Sequence, residues 1–84
     1  MTDSIRAIIQ QHARLSVPVD SLADDADLYA AGLTSHATVN VMLALEDEFG
    51  IEFPDRMMRR RSFESIAAIR AAVEDIQSGR AKAS

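Results

Sequence analysis

The chain carries the segment Gly32-Leu33-Thr34-Ser35-His36, which leads into a run as far as Phe49 that contains no further Gly and no Pro. A Ser/Thr pair directly before such a run is typical of a helix start, because side-chain oxygens accept hydrogen bonds from the first free backbone amides. We therefore predict a helix over residues 35–49, capped by Thr34 or Ser35. Ser35 has a second interpretation as a modification site, because a helix N-terminus stabilises a phosphate.

The predicted helix has apolar residues on two sides. One stripe is expected to face the core and consists of Val41, Met42, Leu45 and Phe49. Val39 and Leu43 form the second stripe, with His36 at its top. That second side is either additional core or a surface that docks a partner.

Working outward from this helix, periodicity predicts three more. The first covers residues 4–15, with Ile5, Ile8 and Ile9 in its stripe and His12 as a buried or half-buried spacer. A short helix over 55–61 and a last helix over 63–77, capped by Ser62, follow the stop at Gly50. The connection 16–34 is long and is expected to be pinned by leucines, namely Leu22, Leu28 and Leu33.

These elements predict an all-α fold, a small four-helix bundle of three main helices plus a short third helix, with a long first loop. A chain of 84 residues has room for one such domain, which we place at residues 1–77, and residues 78–84 are expected to be a flexible tail. The chain contains no cysteine, no apolar run of membrane-spanning length and no recognisable signal peptide. We expect a cytoplasmic monomer that does not bind a membrane.

The net charge of −4 is unevenly distributed. From Ser16 to Asp55 the chain has nine acidic residues and no Lys or Arg, whereas Arg56, Arg59, Arg60 and Arg61 follow immediately. The acidic block argues against nucleic acid as a partner, because phosphate backbones attract the opposite charge. It favours proteins with basic docking surfaces, although a solvated face alone would also account for it.

No catalytic constellation is apparent. His36 is adjacent to Ser35 in sequence, but neighbouring residues of a helix project about 100° apart, so His36 is poorly placed to deprotonate that hydroxyl. Asp25 and Asp27 superficially suggest a calcium loop, yet Ala30 stands where the loop requires glycine. We predict that the protein is not an enzyme and binds no metal.

Two segments together give the chain a specific resemblance. These are Gly32-Leu33-Thr34-Ser35 and Ala44-Leu45-Glu46-Asp47-Glu48-Phe49-Gly50-Ile51-Glu52-Phe53-Pro54, and over about residues 5–76 the chain resembles an acyl carrier protein. The resemblance implies a four-helix bundle with a short third helix. It also implies that Ser35 carries 4′-phosphopantetheine, transferred from coenzyme A by a phosphopantetheinyl transferase, and that the thiol of this arm holds a substrate as a thioester.

The sequence departs from the usual family pattern on the expected recognition surface. Thr34 and His36 stand where the family usually has Asp and Leu, and Asn40 replaces an acidic residue. The pattern is similar to specialised carriers, including stand-alone carriers that ligases load with amino acids. An acyl- or amino acid-activating ligase and a downstream acyl acceptor are then the implied partners, with docking residues Thr34, His36, Val39, Asn40, Leu43, Glu46, Asp47, Arg56 and Arg59.

Two other classes of function compete with this interpretation. The first is a helical protein-interaction domain without a prosthetic group, in which Ser35 only caps a helix. The second is a small DNA-binding domain that uses Arg59–Arg61, which the acidic block disfavours.

Overall fold

The computed structural model describes residues 1–79 of the chain. This part contains three α-helices and three short 3-10 turns, joined by irregular connections. Helix α1 covers Thr2–His12, α2 covers Ser35–Phe49 and α3 covers Ile66–Gln77. The 3-10 turns lie at Val19–Ser21, Asp55–Met57 and Arg60–Phe63. The all-α fold class is confirmed, and of the tail predicted at 78–84 the residues 80–84 lie outside the described part of the chain.

The core is formed where the three helices meet the two long connections. Its fully buried side chains come from every part of this arrangement and include Ile5, Ile9, Leu28, Val41, Leu45, Phe53, Ile66, Ile69 and Val73. Phe53, in the connection after α2, lies against Phe63 with their ring centroids 5.4 Å apart. This aromatic pair holds the segment between α2 and α3 onto the core.

The long first connection is fixed to the helices by hydrogen bonds at several points. Arg6 donates to the carbonyl of Val19 at 2.8 Å and forms an ion pair with Asp24 at 2.6 Å. Further along, the amide of Leu28 donates to the carbonyl of Glu64 at 2.7 Å. These bonds allow a connection of this length to remain ordered in a small domain.

Leu28 and Leu33 anchor this connection as predicted, since both are buried, and Leu22 packs half-buried against the edge of the core. Val19 and Ala31 are also buried, although the sequence did not single them out as anchors. The predicted loop is therefore held against the core at several buried positions, while most of its other residues are exposed.

Helix α1 is shorter at its C-terminal end than predicted. It ends at His12, because Ala13 is already extended, with φ −113° and ψ 128°. Leu15 consequently lies outside the helix, and His12 is exposed, so the prediction of a buried or half-buried spacer was wrong.

The segment between α2 and α3 also differs from the prediction. The short helix predicted over 55–61 is two separate 3-10 turns, because Arg59 is extended at φ −131° and ψ 155° and interrupts the helical backbone. Helix α3 begins at Ile66 and not at 63, and its cap is Ser65, which accepts from the amide of Ala68 at 3.0 Å. The prediction of Ser62 as the cap was therefore wrong.

No helix within residues 1–79 is long and apolar enough to cross a membrane. The same residues contain no group of His, Cys, Asp or Glu side chains that could hold a metal ion.

Candidate functional site

Thr34 is the residue that caps α2. Its backbone is extended, with φ −100° and ψ 163°, and its Oγ1 accepts a hydrogen bond from the amide of Ala37 at 3.0 Å. Its carbonyl accepts from both the amide and the hydroxyl of Thr38, at 2.9 and 2.8 Å. Of the two predicted capping residues, Thr34 performs this role and Ser35 does not.

Ser35 therefore does not cap the helix. It is the first residue of α2, its side chain is exposed, and its hydroxyl makes no hydrogen bond with any residue of the described chain. The backbone amides of Ser35 and His36 belong to the first turn and have no partner within residues 1–79. A phosphate ester on Ser35 would therefore lie where unpaired amides and the helix dipole stabilise negative charge.

The turn before Ser35 holds this serine in a fixed position. Gly32 has φ +116°, a conformation that L side chains rarely adopt, and a Cβ atom there would lie 3.3 Å from the amide nitrogen of Ser16. Next to it, Leu33 is buried and its amide donates to the carbonyl of Leu28 at 2.9 Å. The start of α2 is thus anchored to the core through Leu33.

A groove of about 250 Å³ is lined by residues of α2, Ser35 among them, and by residues of the segment that precedes α3. We call it the Ser35 groove, and its lining residues are Tyr29, Ser35, Thr38, Val39, Met42, Met58, Arg59, Arg60 and Phe63. Most of these side chains are apolar, and the two arginines supply its positive charge. The groove can therefore accept a flexible, largely apolar chain whose end is negatively charged.

Contacts between different segments shape one wall of the Ser35 groove. The guanidinium carbon of Arg60 lies 4.1 Å from the ring centre of Tyr29, in a cation–π contact. The Tyr29 hydroxyl lies 3.4 Å from Oγ1 of Thr38 on α2. Tyr29, which lies in the first connection, therefore contacts both α2 and the turn Arg60–Phe63.

A different cleft, of about 400 Å³, lies on the other flank of the α2 N-terminus. It is lined by His12, Arg14, Gly32, Thr34, His36, Ala37 and Asn40. His36 thus lines this cleft while Ser35 lines the groove, which agrees with the expectation that His36 is poorly placed to act on the serine hydroxyl. The predicted docking residues are therefore divided between two places. The cleft is lined by Thr34, His36 and Asn40, whereas the Ser35 groove is lined by Val39 and Arg59.

The second apolar stripe of α2 is a surface. Val39 and Leu43 are 51% and 52% exposed, so the alternative that they are additional core is wrong. Asp47 is exposed further along the same helix. Glu46, also predicted as a docking residue, is half-buried, and its Oε2 accepts from the amide of Phe53 at 2.9 Å.

Several lining residues of the Ser35 groove were missed in the sequence. Thr38 and Met42 follow Ser35 at intervals of three and seven residues, so helical spacing alone would have placed them on its face. Tyr29, Met58 and Phe63 belong to other segments, and only the tertiary arrangement brings them to the groove. Arg56, predicted as a docking residue, is exposed but lines neither the groove nor the cleft beside His36.

Known proteins resemble this chain in both sequence and fold. A protein-family model described as "Phosphopantetheine attachment site" matches residues 3–73. The chain is 50% identical over 80 residues to an aminoacyl carrier protein of Agrobacterium fabrum, covering 95% of this chain and 96% of that protein.

Solved structures give the same picture. The chain superposes with a TM-score of 0.86 and 51% identity on a chain in the crystal structure of an engineered Bradyrhizobium japonicum glycine:[carrier protein] ligase complexed with a carrier protein from Agrobacterium tumefaciens and AMP. That match covers 88% of this chain and 99% of the other. A solution structure of a protein from Agrobacterium tumefaciens matches over 100% of both chains, with a TM-score of 0.77 and 49% identity.

Proposed function

Since the chain belongs to the phosphopantetheine-attachment family of carrier proteins, we propose that Ser35 bears its 4′-phosphopantetheine arm and that its cargo is an amino acid. The protein is a carrier and not an enzyme. The observation that supports Ser35 is the division of roles at the start of α2, where Thr34 caps the helix and leaves the neighbouring hydroxyl exposed and unbonded. We assign this role to a carrier domain at residues 1–77.

The residues around Ser35 suit this group. Ser35 Oγ is the acceptor oxygen for the phosphoryl group, and the unpaired amides at the start of α2 favour the negative charge of a phosphodiester by about 0.3–1 kcal/mol at an exposed site. The chain has no cysteine, and the arm supplies, when attached, the thiol on which a carboxylic acid is held as a thioester. The adjoining groove offers apolar contacts to the arm without enclosing it.

An aminoacyl cargo is supported by two findings. The relative from Agrobacterium fabrum is an aminoacyl carrier protein, and a similar structure holds a carrier protein together with a glycine:[carrier protein] ligase. The chain also departs from the usual family pattern at Thr34, His36 and Asn40, and two of these flank the proposed attachment site directly.

We propose three successive partners: a phosphopantetheinyl transferase, an amino acid-activating ligase and a downstream acyl acceptor. Val39, Leu43 and Asp47 are exposed on α2 and combine apolar contact area with negative charge, which suits brief, electrostatically steered encounters. The acidic block from Ser16 to Asp55 disfavours nucleic acid as a partner. We place the protein in the cytoplasm, where the coenzyme A and ATP that these reactions consume are available.

The test is aminoacylation of the modified protein. Purified protein is treated with coenzyme A and a broad-specificity transferase, then with an amino acid-activating ligase, ATP and labelled glycine or another amino acid. We expect label that is stable to denaturation but released by hydroxylamine, and none on Ser35→Ala. Modified protein that no ligase can label would contradict the aminoacyl cargo. Label that persists on Ser35→Ala would contradict the attachment site.

A further inference from the structure

Arg59 is a cation without a partner at the edge of the Ser35 groove. Its side chain is exposed and makes no hydrogen bond, ion pair or ring contact with any residue in the described part of the chain. The other arginine lining the groove, Arg60, is held against the ring of Tyr29. Arg59 is therefore the groove arginine whose guanidinium is available to a new anion.

The charge distribution makes this position unusual within the molecule. The chain has a net charge of −4, and no Lys or Arg occurs between Ser16 and Asp55. Arg59 nevertheless lines the same groove as Ser35, together with the buried side chain of Phe63. The fold thus places a positive side chain in the same groove as the hydroxyl that the proposed function modifies.

We propose that Arg59 is a positioning residue that pairs with the phosphodiester on Ser35 and directs the arm along the groove. This inference rests on the proposed function. A phosphodiester keeps its negative charge throughout the physiological pH range, and the planar guanidinium group donates two parallel hydrogen bonds to phosphate oxygens. The α2 N-terminus and Arg59 then act on the same anion from two segments of the chain.

An exposed pair of this kind is weak, which suits a carrier. Surface ion pairs change an equilibrium by no more than about fivefold, and salt screens them. Arg59 therefore biases the arm towards the apolar lining of Val39, Met42 and Met58 without trapping it there. A partner enzyme that binds the thiol end can still withdraw the arm from the groove.

The experiment compares unmodified and modified protein by NMR at low salt. The Nε–H signals of the arginine side chains are assigned by substitution and followed as the arm is attached, and intact mass verifies that attachment is complete. The mobility of the arm is measured by the heteronuclear NOE of its two amide groups, labelled with nitrogen-15. Arg59→Gln removes the proposed contact, Arg59→Lys keeps the charge, and Arg61→Gln is the matched control, because Arg61 is also exposed but does not line the groove.

We expect attachment to shift the Arg59 Nε–H signal and to leave that of Arg61 in place. Arg59→Gln should make the arm more mobile, Arg59→Lys should restore part of the difference, and Arg61→Gln should have no effect. The shift should disappear near 1 M salt, where the Debye length is about 3 Å. Modified protein in which Arg59 shifts no more than Arg61, or in which Arg59→Gln leaves arm mobility unchanged, would overturn the inference alone. Failure of the protein to gain the arm would overturn the proposed function as well.

Discussion

Adjacent substitutions at Thr34 and Ser35 should have opposite effects on stability and on modification. Thr34→Ala removes the hydroxyl that accepts from the amide of Ala37, so an amide of the first turn of α2 loses its partner. Ser35→Ala removes a hydroxyl that has no hydrogen bond within residues 1–79. The two changes thus separate the cap of the helix from the proposed attachment site.

The expected magnitudes follow from these contacts. Loss of a threonine N-cap costs about 1 kcal/mol of unfolding free energy, and a domain of this size then melts roughly 4–8 °C lower. The whole domain is expected to have about 4–12 kcal/mol of stability, so Thr34→Ala should remain folded. Ser35→Ala should be neutral or stabilising by at most about 0.5 kcal/mol, because alanine has the higher helix propensity.

Urea unfolding monitored by circular dichroism measures both variants, and intact mass after treatment with coenzyme A and a transferase measures modification. We expect Thr34→Ala to be less stable but still modified, and Ser35→Ala to be as stable as the original protein but unmodified. A loss of about 1 kcal/mol or more in Ser35→Ala would instead show that this hydroxyl has a structural role. Equal stability of Thr34→Ala and the original protein would refute the assignment of the cap.

Three further substitutions test the packing, the exposed face and the C-terminal end of α2. Leu45→Ala should lower the unfolding free energy by about 2–5 kcal/mol in urea titrations, because Leu45 is completely buried and a cavity would remain. Leu43→Asp should leave the urea midpoint nearly unchanged but slow aminoacylation by the ligase, since this side chain is 52% exposed; a large loss of stability would identify it as core. Gly50→Ala should cost about 1 kcal/mol in the same titrations, because Gly50 ends α2 with φ +61° and a Cβ atom there would meet no other atom within 4 Å, so backbone conformation alone sets the cost.

The sequence predicted α2 correctly because local chemistry marks both of its ends. Thr34 supplies the N-cap and Gly50 the left-handed C-cap, and neither depends on contacts distant in sequence. The start of α3 was misplaced because Ser62 and Ser65 both fit a cap. The choice depends on long-range bonds, in which Leu28 donates to the carbonyl of Glu64 and Ala67 donates to that of Asp24.

In the candidate site, too, some features depend on neighbouring residues and others on contacts between distant segments. The position of Ser35 at the start of α2 could be predicted from a few neighbouring residues. The role of Glu46 could not, because its carboxylate accepts from the amide of Phe53 only once the chain has turned beyond Gly50. The groove also required the fold, since Arg59 comes from the segment before α3 and Tyr29 from the connection before α2, and only the tertiary arrangement brings both to the groove.

Peptide mass mapping of the modified protein locates the attachment site. Trypsin should release residues 15–56 as one peptide, because no Lys or Arg lies between Arg14 and Arg56. This peptide contains five aliphatic hydroxyls, those of Ser16, Ser21, Thr34, Ser35 and Thr38, so its fragment ions discriminate among the candidates. We predict one phosphopantetheine group, carried on Ser35 both in the original protein and in Thr34→Ala, and an unmodified peptide from Ser35→Ala. A group on any other hydroxyl, or on the Ser35→Ala protein, would contradict the account.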